Sequence, residues 1–411
     1  MNSHVLLLAI LLILPRLVGA QMNQETSHKI DALFAKYNEN TPGVVVGVLE
    51  KGKFVFSKGY GSANLEYKIP NSSKTIFHLA SVSKQFTAFA IYLLESRGRL
   101  SLEDNIRTYL PELPEYEEEI KIKHLLSHTS GLREQFLLLT LAGWDMEDRI
   151  TTEHVLDLAF AQKNLNFEPG TQFGYCNTGY TFLALIVERI TGMKFKDFCA
   201  TNIFTPLGMS NTQFYEDSKQ IVANRAYSYE MRDRIYVHKK LNYSIVGATS
   251  LFSTVEDLAK WANNFDKLIV GDKKLMKSFN QISKLNNGDP LIWKMIGNDT
   301  LYHAKGQFIR DYKGVKVFKH GGHDAGYRTF LARFPKEDLT IITLSNDEHY
   351  EIFARGMEIA EFILSDQLQE NTPSPSPSKK AKGKVEKYTA INLEQYAGKY
   401  FSDELNTHYH L

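Results

Sequence analysis

Apolar and polar positions alternate differently at the two ends of the chain than in its middle. "HKIDALFAKY" (His28 to Tyr37) sets Ile30, Leu33 and Phe34 at helical spacing. In "PGVVVGVLEKGKFVFSKGYG", two β-rich runs flank Lys51-Gly52-Lys53 and predict a hairpin. "FHLASVSKQFTAFAIYLLESRGRL" reads as an amphipathic helix with Phe86, Phe89, Ala90, Leu93 and Leu94 on one face, stopped at Gly98. From Leu100 to about Phe214 the pattern is helical, broken by the loops "LPELPEY", "LLSHTSGL", "EPGTQFGYCNTGY" and "FTPLGM". "STVEDLAKWANNF" predicts a further helix, with Ser253 and Glu256 as a capping box. The β-pattern returns at Val315–Lys319, Thr329–Phe334 and Leu339–Leu344, the last two joined by "PKED", and "FARGMEIAEFIL" closes with a helix. Strands at both ends and helices between them predict an α+β, two-lobe fold: one antiparallel sheet built from both ends, flanked by helices, with an all-helical lobe inserted.

Three segments stand outside this pattern. Residues 1–20 carry the ten-residue apolar run Val5–Leu14 and end in small residues at Gly19 and Ala20, the build of a secretory signal peptide. Pro15 and Arg16 interrupt the run, which is short of the roughly 20 residues a membrane span needs. The expectation is a secreted or periplasmic protein with no membrane role beyond this targeting. Residues 371–387 form a Pro/Ser-rich then Lys-rich linker without core-forming residues. Residues 388–411 resemble the first strand of something new, too short for an independent sheet; they either dock on the main domain, expected over 21–370, or begin a second one.

Composition adds limits. With 411 residues, 43% hydrophobic, 23% charged and a net charge of +1, the chain can bury a large core and offers no charge excess to attract nucleic acid. Two cysteines, Cys176 and Cys199, make neither a disulfide framework nor a four-thiolate zinc site. His124 and His128 are spaced i, i+4 but lack a third metal ligand nearby, so no metal is expected.

The candidate chemistry starts at Ser81 and Lys84, which stand three apart and project from one helix face. Alone the pair reads as a helix cap beside an exposed lysine, and the same spacing recurs at Ser376–Lys379 in the linker. Two other motifs change that reading: Tyr175-x-Asn177 in the Gly-bounded "GYCNTGY" loop, and His320-Gly321-Gly322 at the end of a strand in "KHGGHDAG". Ser-x-x-Lys on a helix, Tyr-x-Asn in a helical lobe and Lys/His-x-Gly on a strand, in this order, resemble the serine β-lactamase and penicillin-binding-protein-like hydrolases. The resemblance is strongest to the class C β-lactamase branch, which also holds D-alanyl-D-alanine carboxypeptidases, D-aminopeptidases and esterases. It runs from about Met22 to Ser365.

The resemblance implies a β-lactamase/transpeptidase-like fold and an acyl-enzyme on Ser81, acting on a small-molecule or peptide substrate without a cofactor. Lys84 would help activate Ser81, and Tyr175 would shuttle the proton to the leaving group and then activate water. Free lysine and tyrosine titrate near 10, so either needs ~4 kcal/mol of environmental bias to act as a base near pH 7. A Lys84–Tyr175 pair would titrate as one coupled unit. Asn177 would position the substrate and hydrogen-bond Lys84; the backbone N–H groups of Ser81 and His323 would form the oxyanion hole, with Gly322 permitting the close approach. Many relatives carry lysine where His320 stands. A largely neutral imidazole supplies less charge to a substrate carboxylate, which points to esterase, amidase or peptidase chemistry rather than efficient β-lactamase action. Arg328 is a candidate replacement cation, with a sheet-edge role the plainer reading. The chain contains no Gly-x-Ser-x-Gly, which rules out an α/β-hydrolase reading of "HGG". The alternative on the same fold is a non-catalytic or slowly deacylating binder of penicillin or cell-wall peptide.

Overall fold

The computed structural model describes residues 21–296, 299–369 and 396–410. The expected signal peptide and linker lie outside the described residues. An eight-stranded antiparallel sheet runs, edge to edge, through Ile292–Ile296, Asp299–Ala304, Gln307–Tyr312, Val315–Asp324, Tyr327–Phe334, Leu339–Ser345, Val44–Glu50 and Lys53–Tyr60. The two ends of the chain meet where Val44–Glu50 pairs with Leu339–Ser345, in the register Val44↔Ser345 to Glu50↔Leu339. This is the sheet built from both ends that the β-pattern predicts.

Strand geometry sends successive side chains to opposite faces, so a central strand divides its apolar residues between two cores. Val44, Val46 and Val48 enter the core under the helices Gln24–Leu33 and Ile352–Leu364. Val45 and Leu49 enter the larger core with Phe86, Phe89 and Trp261. The Val255–Lys267 helix covers that second face, and a Cβ at Gly47 would fall 2.3 Å from Val255 Cγ1, so glycine there lets helix and sheet close up. Its cap sits one residue later than the sequence suggests. Thr254 accepts from the Asp257 N–H at 3.1 Å, Ser253 belongs to the strand Leu251–Ser253, and Glu256 instead accepts from the Ser73 hydroxyl at 2.7 Å.

The Ser83–Ser96 helix departs from the amphipathic expectation, because every residue from Ser83 to Leu94 is buried. It lies between the sheet-based region and the helical lobe, packed on Asn177–Thr191 and on Lys273–Phe279, and so has no solvent face along most of its length. Among the described residues, no helix is long and apolar enough to cross a membrane.

The strands at 292–312 were not anticipated from the pattern; they extend the sheet as a meander beyond Val315–Asp324. The described tail, 396–410, forms a hairpin, Lys399–Ser402 with Thr407–His410, whose tip touches the helical lobe. Glu404 accepts from Arg133 Nη1 at 3.1 Å and from the Lys163 N–H at 2.7 Å, and Asp403 pairs with Lys163.

Candidate active site

The local fold around Ser81 is fixed from three sides. Phe77–His78 pairs with Leu251–Ser253, and the chain then continues that contact as Leu79 N–H donates to the Leu251 carbonyl at 2.7 Å. Thr329, on the sheet, donates its hydroxyl to the Leu79 carbonyl at 2.8 Å. Ala80 then turns into the left-handed region (φ 49°), a strained conformation for a residue with a Cβ, and Ser81 follows in a single 3-10 turn, Ala80–Val82, at the head of the Ser83–Ser96 helix. The Ser83 hydroxyl caps the strained turn by donating to the Ala80 carbonyl at 2.5 Å.

Lys84 Nζ donates to Ser81 Oγ at 3.1 Å and to the Ala248 carbonyl at 2.7 Å. The lysine is fully buried, whereas Ser81 is half-buried and open to an incoming group. Lys84 Nζ also lies 5.1 Å from the Tyr175 ring centroid and 5.7 Å from that of Tyr180. Tyr175, far from Ser81 and Lys84 in sequence, is thus brought to the pair. Tyr175 leans on His128, whose ring stacks on it at 4.3 Å. His128, at φ 57°, accepts the Cys176 N–H on Nδ1 at 3.1 Å. His124 accepts the Lys121 N–H on Nδ1 and meets Asn286 with Nε2, so both histidines of the i, i+4 pair serve local structure. Cys176 and Cys199 are buried and unpaired, and burial pushes the Cys176 thiol up to about 11.

Asn177 corrects the expectation. It opens the helix Asn177–Thr191, and its amide donates to Glu134 Oε1 at 2.7 Å rather than meeting Lys84. The other Glu134 oxygen accepts from the Phe136 and Leu137 N–H groups at 2.7 and 3.0 Å, so one carboxylate both caps the Gln135–Leu141 helix and holds Asn177. Glu134 was not among the residues singled out by sequence. An acidic residue directly before the apolar run "QFLLL" was the available signal.

The strand Val315–Asp324 supplies the opposite wall. Its neighbour Gln307–Tyr312 pairs with it only as far as Lys319, which leaves the edge at His320–Asp324 free to face the Ser81 turn. Gly322 is the point of nearest approach: a Cβ there would lie 2.3 Å from the Leu79 carbonyl oxygen and 2.9 Å from Ala80 Cβ. His320 is buried, with Nδ1 against the Gly321 carbonyl at 2.6 Å and Nε2 without a partner among the described residues. Burial and then the Lys84 ammonium depress it to about 3, so it is neutral at ordinary pH. Arg328 does not replace the missing cation: Nη1 donates to the Ala325 and Tyr327 carbonyls at 2.9 and 2.8 Å. Asp324, the next wall residue after His323, takes the Thr249 hydroxyl, and burial raises its carboxyl. Neither Thr249 nor the Ala248 carbonyl carried a sequence signal. Among the described residues, no cluster of three metal-ligating side chains occurs.

Fold and site together fall in one class, that of the serine β-lactamases and penicillin-binding-protein-like hydrolases. A family model described as Beta-lactamase matches residues 30–362, and the chain belongs to that family. It is 30% identical to penicillin-binding protein 4* of Bacillus subtilis over 87% of this chain and 80% of that one. It is 26% identical to a D-aminopeptidase of Cereibacter sphaeroides over 75% of this chain but 57% of that protein's length. The octameric penicillin-binding protein homologue of Pyrococcus abyssi superposes with a TM-score of 0.70 at 26% identity, over 83% of this chain and 77% of that one.

Proposed function

We propose that the chain is a secreted serine hydrolase working through an acyl-enzyme on Ser81, on amide or ester bonds of small or D-amino-acid-like substrates. The observation that carries this reading is the 3.1 Å hydrogen bond from a fully buried Lys84 to a reachable Ser81 hydroxyl, with Tyr175 against the same amine. A serine hydroxyl is a weak nucleophile until a base takes its proton. In this scheme Ser81 Oγ attacks the substrate carbonyl, and its proton passes to the Lys84–Tyr175 pair. The oxyanion that forms is held by the Ser81 and His323 N–H groups. Collapse breaks the bond to the leaving amine or alcohol, which takes the proton from the pair. Water then attacks the acyl carbonyl, giving its proton to the same pair, and the acid leaves as Ser81 Oγ takes that proton back.

The neutral state of His320 and the tethering of Arg328 favour substrates that bring no carboxylate to that wall. D-Amino acid amides and simple esters fit this better than peptides with a free C-terminal carboxylate. The D-aminopeptidase relative supports the same direction. Secretion rests on the apolar run and small-residue ending of residues 1–20.

The test is the intact mass of the protein after brief incubation with p-nitrophenyl acetate, and separately with a penicillin, beside Ser81→Ala. A Ser81-dependent adduct or turnover is expected, with the ester outpacing the penicillin. Turnover retained in Ser81→Ala overturns the reading. An adduct that forms and persists without turnover moves the protein to the slowly deacylating binder.

A further inference from the structure

Lys319 and His320 are consecutive in one strand, so their side chains leave opposite faces of the sheet. His320 faces Lys84. Lys319 faces the helix Ile352–Leu364, on the side where Val315 and Val317 enter the core and where Gly321 abuts Ile352 and Phe353. A cleft of about 590 Å³ opens there, between that helix and the outer strands. Trp293, stacked on Phe308 at 4.2 Å, forms one wall, and Phe353 with Met357 forms the other. This volume lies in the range of roughly 300–1,000 Å³ typical of small-ligand sites.

Lys319 lines this cleft and is 5% exposed, yet its ammonium has no carboxylate or hydrogen-bond partner among the described residues. What lies beside Nζ is the Phe353 ring, 5.4 Å to its centroid. The other charges around the cleft are engaged elsewhere. Arg310 holds Asp299, Glu361 takes Lys313 and Tyr312, and Glu358 takes Arg355. Lys294 lies exposed on the outer strand. The ammonium keeps only a sliver of contact with water, and no anion stands beside it to offset what it has lost. Burial, then the neighbouring Arg310, pulls Lys319 down to about 8, so it still carries its proton through most of the neutral range. A ligand with an anionic head and an apolar body would satisfy both features of the cleft, since the head supplies the absent partner and the chain buries apolar surface.

We propose that this cleft is a binding site for a medium-chain alkanoate, its carboxylate on Lys319 Nζ and its chain between Trp293, Phe308 and Phe353. The carboxylate end of the site lies on the sheet face opposite His320, although the Phe308 ring also touches His320 at 5.0 Å between centroids. The plainer reading is that Lys319 only drapes its methylenes over apolar surface and wets its head at the cleft mouth. The two readings differ in what binds.

The experiment is calorimetric titration of the full chain with decanoate and, in parallel, decan-1-ol, for the wild type and Lys319→Met. Methionine keeps the length and apolar stem and removes the charge. Saturable decanoate binding is expected in the wild type, at least tenfold weaker in Lys319→Met, with decanol weak in both. No saturable binding by the wild type overturns the proposal, as does equal decanoate affinity in the variant. A footprint on the unmutated protein covers the case in which Lys319→Met fails to fold. Reductive methylation at pH 8 should label Lys319, and decanoate but not decanol should protect it. Unchanged labelling in decanoate overturns the proposal equally.

Discussion

Two adjacent glycines separate the geometry of the nucleophile from the stability of the sheet. Gly321 and Gly322 follow one another in the strand that faces Ser81, and their missing side chains would point in opposite directions. In Gly322→Ala the new Cβ would stand 2.3 Å from a backbone oxygen, that of Leu79, and 2.4 Å from Thr329 Oγ1. Relief to ordinary contact requires about 1 Å of movement, and backbone cannot rotate out of the way as a side chain can. Leu79 is two residues from Ser81 and is tied to Leu251, so the strain falls on the strained Ala80 turn. Overpacking of this kind costs about 1–3 kcal/mol in stability, and misplacing a reacting group by 1 Å costs about a hundredfold in rate. In Gly321→Ala the Cβ would meet Ile352 Cδ1 at 2.6 Å and Phe353 Cζ at 2.7 Å, both outer atoms of side chains that can yield. Its stability cost is about 1 kcal/mol or less on the same scale, and Ser81 does not move. Urea denaturation gives the stabilities, and kcat/KM for p-nitrophenyl acetate gives the activities. Gly322→Ala should lose about a hundredfold in kcat/KM, and Gly321→Ala less than about threefold. Wild-type activity in Gly322→Ala, or an equal loss in both variants, would refute the assignment of that strand edge to the Ser81 site.

Tyr175→Phe should lower kcat by at least about a hundredfold if its phenol carries protons, with KM for the ester little changed; a loss under tenfold in steady-state assays removes that role. Glu134→Ala should cost about 1 kcal/mol in urea denaturation through loss of the helix cap, and about tenfold in kcat/KM as Asn177 is released, whereas an unaltered rate would make the Glu134–Asn177 bond purely structural. Acid should destabilise the fold through its buried histidines. His78 and His320 are both held near 3, by burial first, and then by Arg225 and Lys84 respectively, whereas in the unfolded chain each takes a proton below about 6.5. The unfolded state therefore binds more protons between those values, and stability present above 6.5 is lost as pH falls through that window. At pH 5 each histidine costs about 2 kcal/mol, so urea midpoints at pH 7.5 and 5 should differ clearly; equal midpoints would show that these rings are charged in the fold.

Much of the architecture was legible because it is written in short-range pattern. The hairpin at Lys51-Gly52, the helix stop at Gly98 and the pairing of chain ends into one sheet all follow from local periodicity and turn chemistry. The meander 292–312 was equally marked, since Lys305-Gly306 and Lys313-Gly314 repeat the Lys-Gly turn, with positive φ at both residues, that joins the first hairpin. It was overlooked because its strands carry Lys294, His303 and Arg310 among their apolar residues, which blurs a period of two. The amphipathic reading of the Ser83–Ser96 helix failed for the opposite reason: Thr87 and Tyr92 look polar in sequence, yet neighbours on all sides bury them.

The site was legible in its residue types and illegible in its partnerships. Ser81, Lys84, Tyr175 and the glycine strand announce themselves because each chemistry permits few side chains at a given spacing. Which acceptor a side chain finally uses is a matter of long-range geometry. Asn177 and Glu134 are 43 positions apart and Lys84 and Ala248 are 164 apart, and neither partner carries a signal that points to the residue it meets. The carbonyl of Ala248 could belong to any residue, so nothing in the letter at that position could have marked it. His320 makes the same point for charge. Its identity alone left open whether a cation stands at that wall; burial, with Phe308 against the ring, and then the Lys84 ammonium remove that charge, outweighing the Gly321 carbonyl that favours it. Histidine at this position is therefore a neutral wall beside an amine rather than a weaker copy of a lysine, and that charge state follows from its environment more than from the residue's name.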